Sequence, residues 1–273
     1  MDLQLNGKRA LVTGSNTGIG KGIAAVLARE GATVVIHGRN NERAQAVAHE
    51  LAARGGRVIV ALGDLATDAG AKAVADAVTT QLGGIDILVN NAGGNETANF
   101  GNPDWFDVPA EHWGAVAQQN VVSAVRLVRA LVPAMRERSW GRVINISSLG
   151  GFQPTAQVPN YCAAKASLIN MTVSLAKALG RTGVTANTVS PGLVRTPMLE
   201  SWIGGIARQL GWGAGDFETL EARFVTELVP LAVTQVARVE DIGHVVAFLA
   251  SPLAYFITGS NIHVDGGQSQ AIY

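Results

Sequence analysis

The chain predicts a doubly wound α/β domain built on a mostly parallel sheet, and three observations lead there. Short apolar runs alternate with helix-patterned segments from one end to the other. Several of those runs lack in/out alternation, as strands buried on both faces do. The 273 residues are 48% hydrophobic and only 15% charged, with 32 glycines, which suits a tightly packed α/β enzyme and argues against disorder.

The elements follow in order. The run 8–14 (KRALVTG) ends on glycine and reads as a first buried strand, and 18–31 has helical spacing that stops at Gly31. The β-branched run 33–38 is a second strand, followed by a helix over 40–56. Residues 57–64 form a third strand, and 67–84 a third helix with Thr67 or Asp68 as its N-cap. Residues 85–93 form a fourth strand. A long helix then begins near Pro109 or Ala110 and ends near Arg138. The fifth strand is 141–148, the long helix 160–180 ends at Gly180, and the sixth strand is 184–192. A helix over 239–251 stops at Pro252, and 260–267 is a short seventh strand. Seven strands and six helices in alternation imply βαβ units with helices on both faces, and no linker or repeat divides residues 1–273. Two long loops, 94–109 and about 193–236, follow strands and belong at the carboxyl edge of the sheet, where such sheets bind ligands.

Composition excludes several classes of function. The formal net charge of +0 provides no basic footprint for nucleic acid or an anionic membrane surface. The single Cys162 rules out an internal disulfide framework and any multi-cysteine metal site, and no metal is expected. No signal-peptide pattern or membrane-spanning apolar run is visible, so a soluble, cytoplasmic protein is expected.

Two stretches carry chemistry. In TGSNTGIG (13–20), Gly14 permits a tight turn, Gly18 lets backbone approach a ligand, and Gly20 lets a helix pack on the sheet. The helix N-terminus that follows suits a pyrophosphate. The alternative is a glycine-rich turn with no ligand, and the loop lacks the Gly-Lys-Ser/Thr of a nucleotide-hydrolysing P-loop. In NYCAAKAS (160–167), Tyr161 and Lys165 share a helix face one turn apart. The lysine charge favours tyrosinate and should pull the phenol pKa down, making it a usable acid/base, while Cys162, Ala163 and Ala164 leave room for a planar ring. The plain alternative is an ordinary amphipathic helix with a snorkelling lysine.

Taken together, TGSNTGIG, NNAG (90–93), YCAAK (161–165) and PG (191–192) resemble the short-chain dehydrogenase/reductase family over the whole chain, in the family's order and spacing, and specifically its 3-oxoacyl reductase-like branch. The resemblance implies a single Rossmann-type domain with a seven-stranded parallel sheet. It makes Tyr161 the acid/base and Lys165 its pKa-lowering partner and ribose ligand. Ser148, thirteen residues before Tyr161, becomes the substrate-oxygen donor, with Ser147 as the competing candidate, and Asn120 supports a proton-relay water. Ser148 and Tyr161 are thus also the substrate contacts. The implied cofactor contacts are Gly14, Asn16, Thr17, Gly18, Ile19 and Gly20 in the loop, Asp64 and Leu65 at the adenine, and Asn91, Ala92 and Gly93 beside the adenosine ribose. Pro191, Gly192, Val194 and Thr196 lie at the nicotinamide.

The position where NAD-preferring relatives carry an acid is Gly38, followed by Arg39, which suits the 2′-phosphate of NADP(H). NAD(H) is the second candidate, and a solvated loop charge is the alternative role for Arg39. The 193–236 segment holds Met198, Leu199, Trp202, Ile203, Leu210, Trp212, Phe217 and Phe224, with glycines at 204–215 as hinges, and reads as a lid over an apolar substrate or else as packing. Phe152, Gln153, Pro154 and Gly94–Asn95–Glu96 line the opposite wall. His37 reads as a strand-end residue rather than a switch. The expected activity is hydride transfer between NADP(H) and a ketone or secondary alcohol, of carbonyl reductase or 3-oxoacyl reductase type. The expected assembly is a homotetramer, or a homodimer, through helices 110–138 and 155–180 and the last strand. A redox-silent dinucleotide sensor on the same fold is the alternative function; such relatives tend to lose the Tyr/Lys pair, and the halohydrin dehalogenases, a further redox-silent class, carry arginine in place of the lysine.

Overall fold

The computed structural model describes residues 1–94, 105–213, 215–229 and 231–270. Seven strands are formed: β1 (Arg9–Val12), β2 (Thr33–Gly38), β3 (Arg57–Leu62), β4 (Ile87–Asn90), β5 (Gly141–Ile146), β6 (Val184–Pro191) and β7 (Asn261–Val264). They make one sheet in the order β3-β2-β1-β4-β5-β6-β7, and every neighbouring pair is parallel. The helices among the described residues are α1 (Gly18–Arg29), α2 (Asn41–Ala53), α3 (Asp68–Leu82), α4 (Ala110–Ala117), α5 (Ser123–Glu137), α6 (Pro159–Ala178), α7 (Pro197–Gln209), α8 (Phe217–Glu227) and α9 (Val239–Ala250).

The apolar runs alternate after all, between two dry faces. Ala10 and Val12 of β1 join Val34 and Ile36 of β2 in a core covered by α1, α2 and α9. Leu11 and Val35 point the other way, into a core covered by α3, α5 and the end of α6. Burial on both sides requires apolar residues at every position, which hides the period of two from the sequence. The strand order reverses between β1 and β4, and a crevice opens there at the carboxyl edge.

Several boundaries differ from expectation. The helix predicted from 109 to 138 is interrupted by one π-helical turn at Gln118–Val122, which separates α4 from α5. Such an insertion is frequent at functional sites, and it falls on Asn120. The last long helix starts at Pro159, whose missing N–H and fixed φ suit the first helical position.

The 193–236 segment is not a loop but contains α7 and α8. Leu199, Ile203 and Phe224 are buried with Val225 and Val236 in a small third core, against which Trp202, Trp212 and Phe217 pack. Packing therefore claims most of the aromatic residues read as lid lining, whereas Met198 and Leu210 stay exposed. Gly204 and Gly205, taken as hinges, lie inside α7. These two helices were missed because α7 carries two glycines and its apolar stripe serves a satellite core. Of the residues proposed for the opposite wall, Asn95 and Glu96 lie outside the described residues. Among the described residues, no helix is long and apolar enough to cross a membrane.

Helices α1 and α9 meet at glycine. A Cβ on Gly22 would lie 2.5 Å from Val239 Cβ and 2.7 Å from its carbonyl carbon. Gly22→Ala should therefore push the two helices apart and cost about 1–3 kcal/mol. The measurement is urea unfolding: the midpoint falls while the slope stays constant, and an unchanged midpoint would show that the contact is not tight.

Candidate active site

The crevice beside β1 is built first by backbone. β1 runs into the glycine turn and α1 begins at Gly18, with Thr17 in extended conformation before it. Thr17 makes no side-chain capping bond and the first turn of α1 holds no acidic residue, so neither a cap nor a carboxylate competes for its leading amides. That is the arrangement an anion requires. Gly20 has no room for a side chain, because a Cβ there would sit 2.4 Å from the Gly14 carbonyl oxygen.

The cleft has a volume of about 300 Å³. Its walls bring together Gly14, Asn16 and Thr17 from the turn, Arg39 after β2, Asp64 and Leu65 after β3, and Asn91, Ala92 and Gly93 after β4. Asn91 donates to the carbonyls of Thr13 (2.8 Å) and Gly14 (3.3 Å), which braces the turn against β4. Gly18 and Thr196 also meet: a Cβ on Gly18 would contact the Thr196 methyl at 3.5 Å. Thr196 Oγ1 caps α7 by accepting from Leu199 N at 3.3 Å, which leaves its proton free to donate. Val194 is buried and bridges to Ala237, Pro191 closes β6, and Gly192 packs against Asp265. Ile19 and Gly20 lie in the first turn of α1. The residues present thus fit a dinucleotide along the crevice. Sequence reasoning missed Arg43, in the first turn of α2 and lining the same cleft as Arg39. The available signal was a second arginine four residues past Arg39, across the start of α2.

The four polar residues beyond the crevice converge. Ser148 caps the 3₁₀ turn that follows it by accepting from Gly150 N at 3.2 Å, and it stands near enough to the Tyr161 phenol to oppose the rise in its pKa. Ser147, the competing candidate, is buried and donates instead to the Lys165 carbonyl at 2.8 Å. Cys162 is buried beneath the same turn, its sulfur 3.0 Å from where a Cβ on Gly150 would lie, so it packs rather than faces the cleft. The buried Asn120, carried on the π turn, accepts from Gly94 N (3.0 Å) and donates to Gly94 O (2.8 Å) and Val116 O (2.9 Å). A Cβ on Gly93 would strike Asn120 Oδ1 at 2.4 Å and would lie 3.5 Å from Lys165 Nζ. The asparagine and the lysine therefore flank one glycine.

Lys165 differs from the expected phenol-tuning role. Its Nζ donates to Ile146 O at 3.0 Å and lies 5.5 Å from the Tyr161 ring centroid. Burial pushes the Tyr161 pKa up, and only Ser148 opposes it, so the expected downward pull of the lysine is absent in this state. Burial also lowers Lys165 to about 8, with no carboxylate beside it among the described residues. The i, i+4 spacing was legible in the sequence, but the depth of both groups was not, and depth dominates.

On the substrate side, Phe152 stacks on His263 at 3.8 Å between centroids. Gln153 Oε1 accepts from Gln270 N at 2.8 Å. The segment after β7 therefore completes the wall that follows Ser148, a contact between residues 117 apart that no local pattern announces.

Residues 8–204 match the family model described as short chain dehydrogenase. The chain is 37% identical to the uncharacterized oxidoreductase YvaG of Bacillus subtilis, with 100% of both covered. It is 35% identical to D-beta-hydroxybutyrate dehydrogenase of Cupriavidus necator, covering 96% of this chain and 98% of that one. Among solved structures, L-sorbose reductase from Gluconobacter frateurii, complexed with NADPH and L-sorbose, superposes with a TM-score of 0.89 at 34% identity, covering 100% of each chain.

The buried ammonium has a measurable consequence. Because Lys165 titrates near 8 in the fold and near 10.5 in the unfolded chain, the unfolded state holds the proton more firmly between those values. The contribution to stability is complete above 10.5 and is lost as pH falls through about 8. Lys165→Met should raise the melting temperature at pH 7 and flatten the rise in stability between pH 8 and 10.5. A variant less stable than wild type at pH 7 would mean that the bond to Ile146 outweighs the desolvation.

Proposed function

The chain belongs to the short-chain dehydrogenase family, and from that premise we propose that it is an NADP(H)-dependent ketoreductase interconverting a ketone and a secondary alcohol. One observation carries the reading: Ser148, Tyr161, Lys165 and Asn120 gather at the end of a crevice whose floor is the glycine turn. A dinucleotide sensor would need none of these four groups, and the dinucleotide fold alone would serve it.

When bound, NADPH supplies the hydride that reduces the carbonyl carbon. Tyr161 gives its proton to the substrate oxygen, and Ser148 donates a hydrogen bond to the same oxygen as charge develops there. Lys165 stands beside Gly93, where its ammonium is placed for ribose hydroxyls and for electrostatic support of the phenolate once the cleft is filled. Asn120, held at Gly94, shapes the path by which the proton is replaced. The phenol pKa, raised by burial, keeps the proton on Tyr161 at neutral pH, which is the state a proton donor needs.

Arg39 and Arg43 are the side chains for the 2′-phosphate, with Gly38 leaving space where a carboxylate would repel it. The NADPH held by L-sorbose reductase supports that preference, and NAD(H) is the weaker cofactor. Loop contacts are assigned to Gly14, Asn16, Thr17, Gly18, Ile19 and Gly20, the adenine to Asp64 and Leu65, the ribose to Asn91, Ala92 and Gly93, and the nicotinamide to Pro191, Gly192, Val194 and Thr196. The helices α7 and α8, within about 193–236, act as the lid of one domain spanning 1–273. Exposed Tyr255 and Phe256 beside β7, with the outer faces of α5 and α6, support a homotetramer, and the cytoplasm is the proposed location.

Tyr161→Phe should lower kcat by about 10²–10⁴ while leaving NADPH affinity nearly intact, read by nicotinamide absorbance with a ketone panel and by fluorescence titration. Wild-type turnover in this variant would remove the assigned acid. Arg39→Ala combined with Arg43→Ala should cut kcat/KM for NADPH by about 10–100-fold and barely change it for NADH. Equal losses with both cofactors would place the arginines elsewhere.

A further inference from the structure

Buried in the wall of the crevice is one titratable side chain that the reaction does not use. His37, near the end of β2, is 3% exposed. Its Nδ1 accepts from the backbone N–H of Gly14 at 3.0 Å, and its Nε2 faces the Gly63 carbonyl at 3.0 Å. A backbone amide can only donate and a carbonyl can only accept. The two partners together require the neutral tautomer with the proton on Nε2, which donates to Gly63. The backbone of the same residue is also clasped: His37 N donates to Ser15 Oγ at 2.9 Å, and Ser15 N donates to His37 O at 2.9 Å.

The two backbone sites that this ring joins are the two that flank the dinucleotide crevice. Gly14 is a left-handed residue of the glycine turn, at φ +63°. Gly63 precedes Asp64 and Leu65, which are assigned to the adenine. An apolar side chain at position 37 would leave the Gly14 amide without this acceptor, a loss borne by the turn that must receive the pyrophosphate.

We propose that His37 is a positioning residue for the cofactor: its neutral imidazole locks the glycine turn to the adenine side of the crevice, and its protonation releases that lock and weakens dinucleotide binding. The inference rests on the NADP(H) reading above and extends it. An imidazolium carries a proton on both nitrogens, so Nδ1–H would confront the Gly14 N–H, and one of the two must move. The charged groups facing the ring are Arg39, at the end of its own strand, which opposes protonation, and Asp64, after β3, which favours it. The glycine turn presents no charge between residues 13 and 20. Burial is the largest influence and lowers the His37 pKa below its ordinary 6.5. Binding competence is therefore full at and above neutrality and is lost as pH falls below 6.5 through that lower value.

The side chains of Asn and Gln separate the two bonds. An Asn carbonyl falls near the Nδ1 position and an amide of Gln near the Nε2 position. His37→Gln and His37→Leu, which remove the acceptor for Gly14, should raise the NADPH Kd and KM about tenfold at pH 7.5 while kcat at saturation stays within about threefold. His37→Asn should recover most of the affinity. In wild type the NADPH Kd should climb in acid more steeply than in His37→Asn, whose comparison cancels protonation of the 2′-phosphate. The ligand-free protein offers a second readout: imidazole ¹⁵N NMR should show the Nε2–H tautomer, with a pKa below 6.5. Wild-type affinity in the Gln and Leu variants, or an Nδ1–H tautomer, would overturn the role of His37. A wild-type protein that fails to bind NADPH would instead reject the cofactor reading itself, with the NMR result standing apart.

Discussion

The site depends on a small polar clasp at the point where the sheet reverses direction. Thr13 Oγ1 accepts from the amides of both Asn91 (2.9 Å) and Ala92 (2.8 Å), and the Asn91 side chain returns to the Thr13 carbonyl at 2.8 Å. Two chain segments 78 residues apart are thereby held as one piece. The glycine turn that would cradle a pyrophosphate and the segment leading to Asn120 and Lys165 cannot drift independently. Each of these bonds joins a backbone group to a side chain at a part-buried position, where a group left unpaired is costly.

Around that clasp the fold sets electrostatic conditions that the reaction then uses. Lys165 is buried among carbonyls with no carboxylate near it among the described residues, which is a poor arrangement for stability and a useful one for binding. In the proposed function, a cofactor in the crevice would offer the ammonium hydrogen-bond acceptors beyond the Ile146 carbonyl. Burial likewise favours the protonated form of Tyr161. Both groups are therefore poised by desolvation, and the helical spacing between them only ensures that they occupy the same cleft. The neutral His37 belongs to the same pattern, since its single tautomer is dictated by one amide and one carbonyl.

Much of this was legible in the residues. Alternating strands and helices, the glycine turn and the Tyr161–Lys165 spacing follow from local patterns of period two and 3.6 and from turn chemistry. The π turn at Asn120 was not legible, because an α and a π register use the same residues. The helices α7 and α8 were hidden by glycines inside a helix and by an apolar stripe that serves a separate core. Arg43 was overlooked because a surface arginine on a helix is unremarkable until the crevice is seen beside it.

Sequence by itself determined the parallel sheet, the place of the crevice at its carboxyl edge, the glycine turn and the Tyr161–Lys165 pair, because these depend on periodicity and on residue chemistry, while Ser148 and Asn120 were implied by the family resemblance. Only the tertiary structure decided which serine reaches the phenol, that the phenol is raised rather than lowered, that the lysine bonds a carbonyl of β5, and that residues beyond β7 close the substrate wall. Those outcomes depend on burial and on contacts between distant segments, and neither depth nor long-range proximity is written in any local stretch of chain.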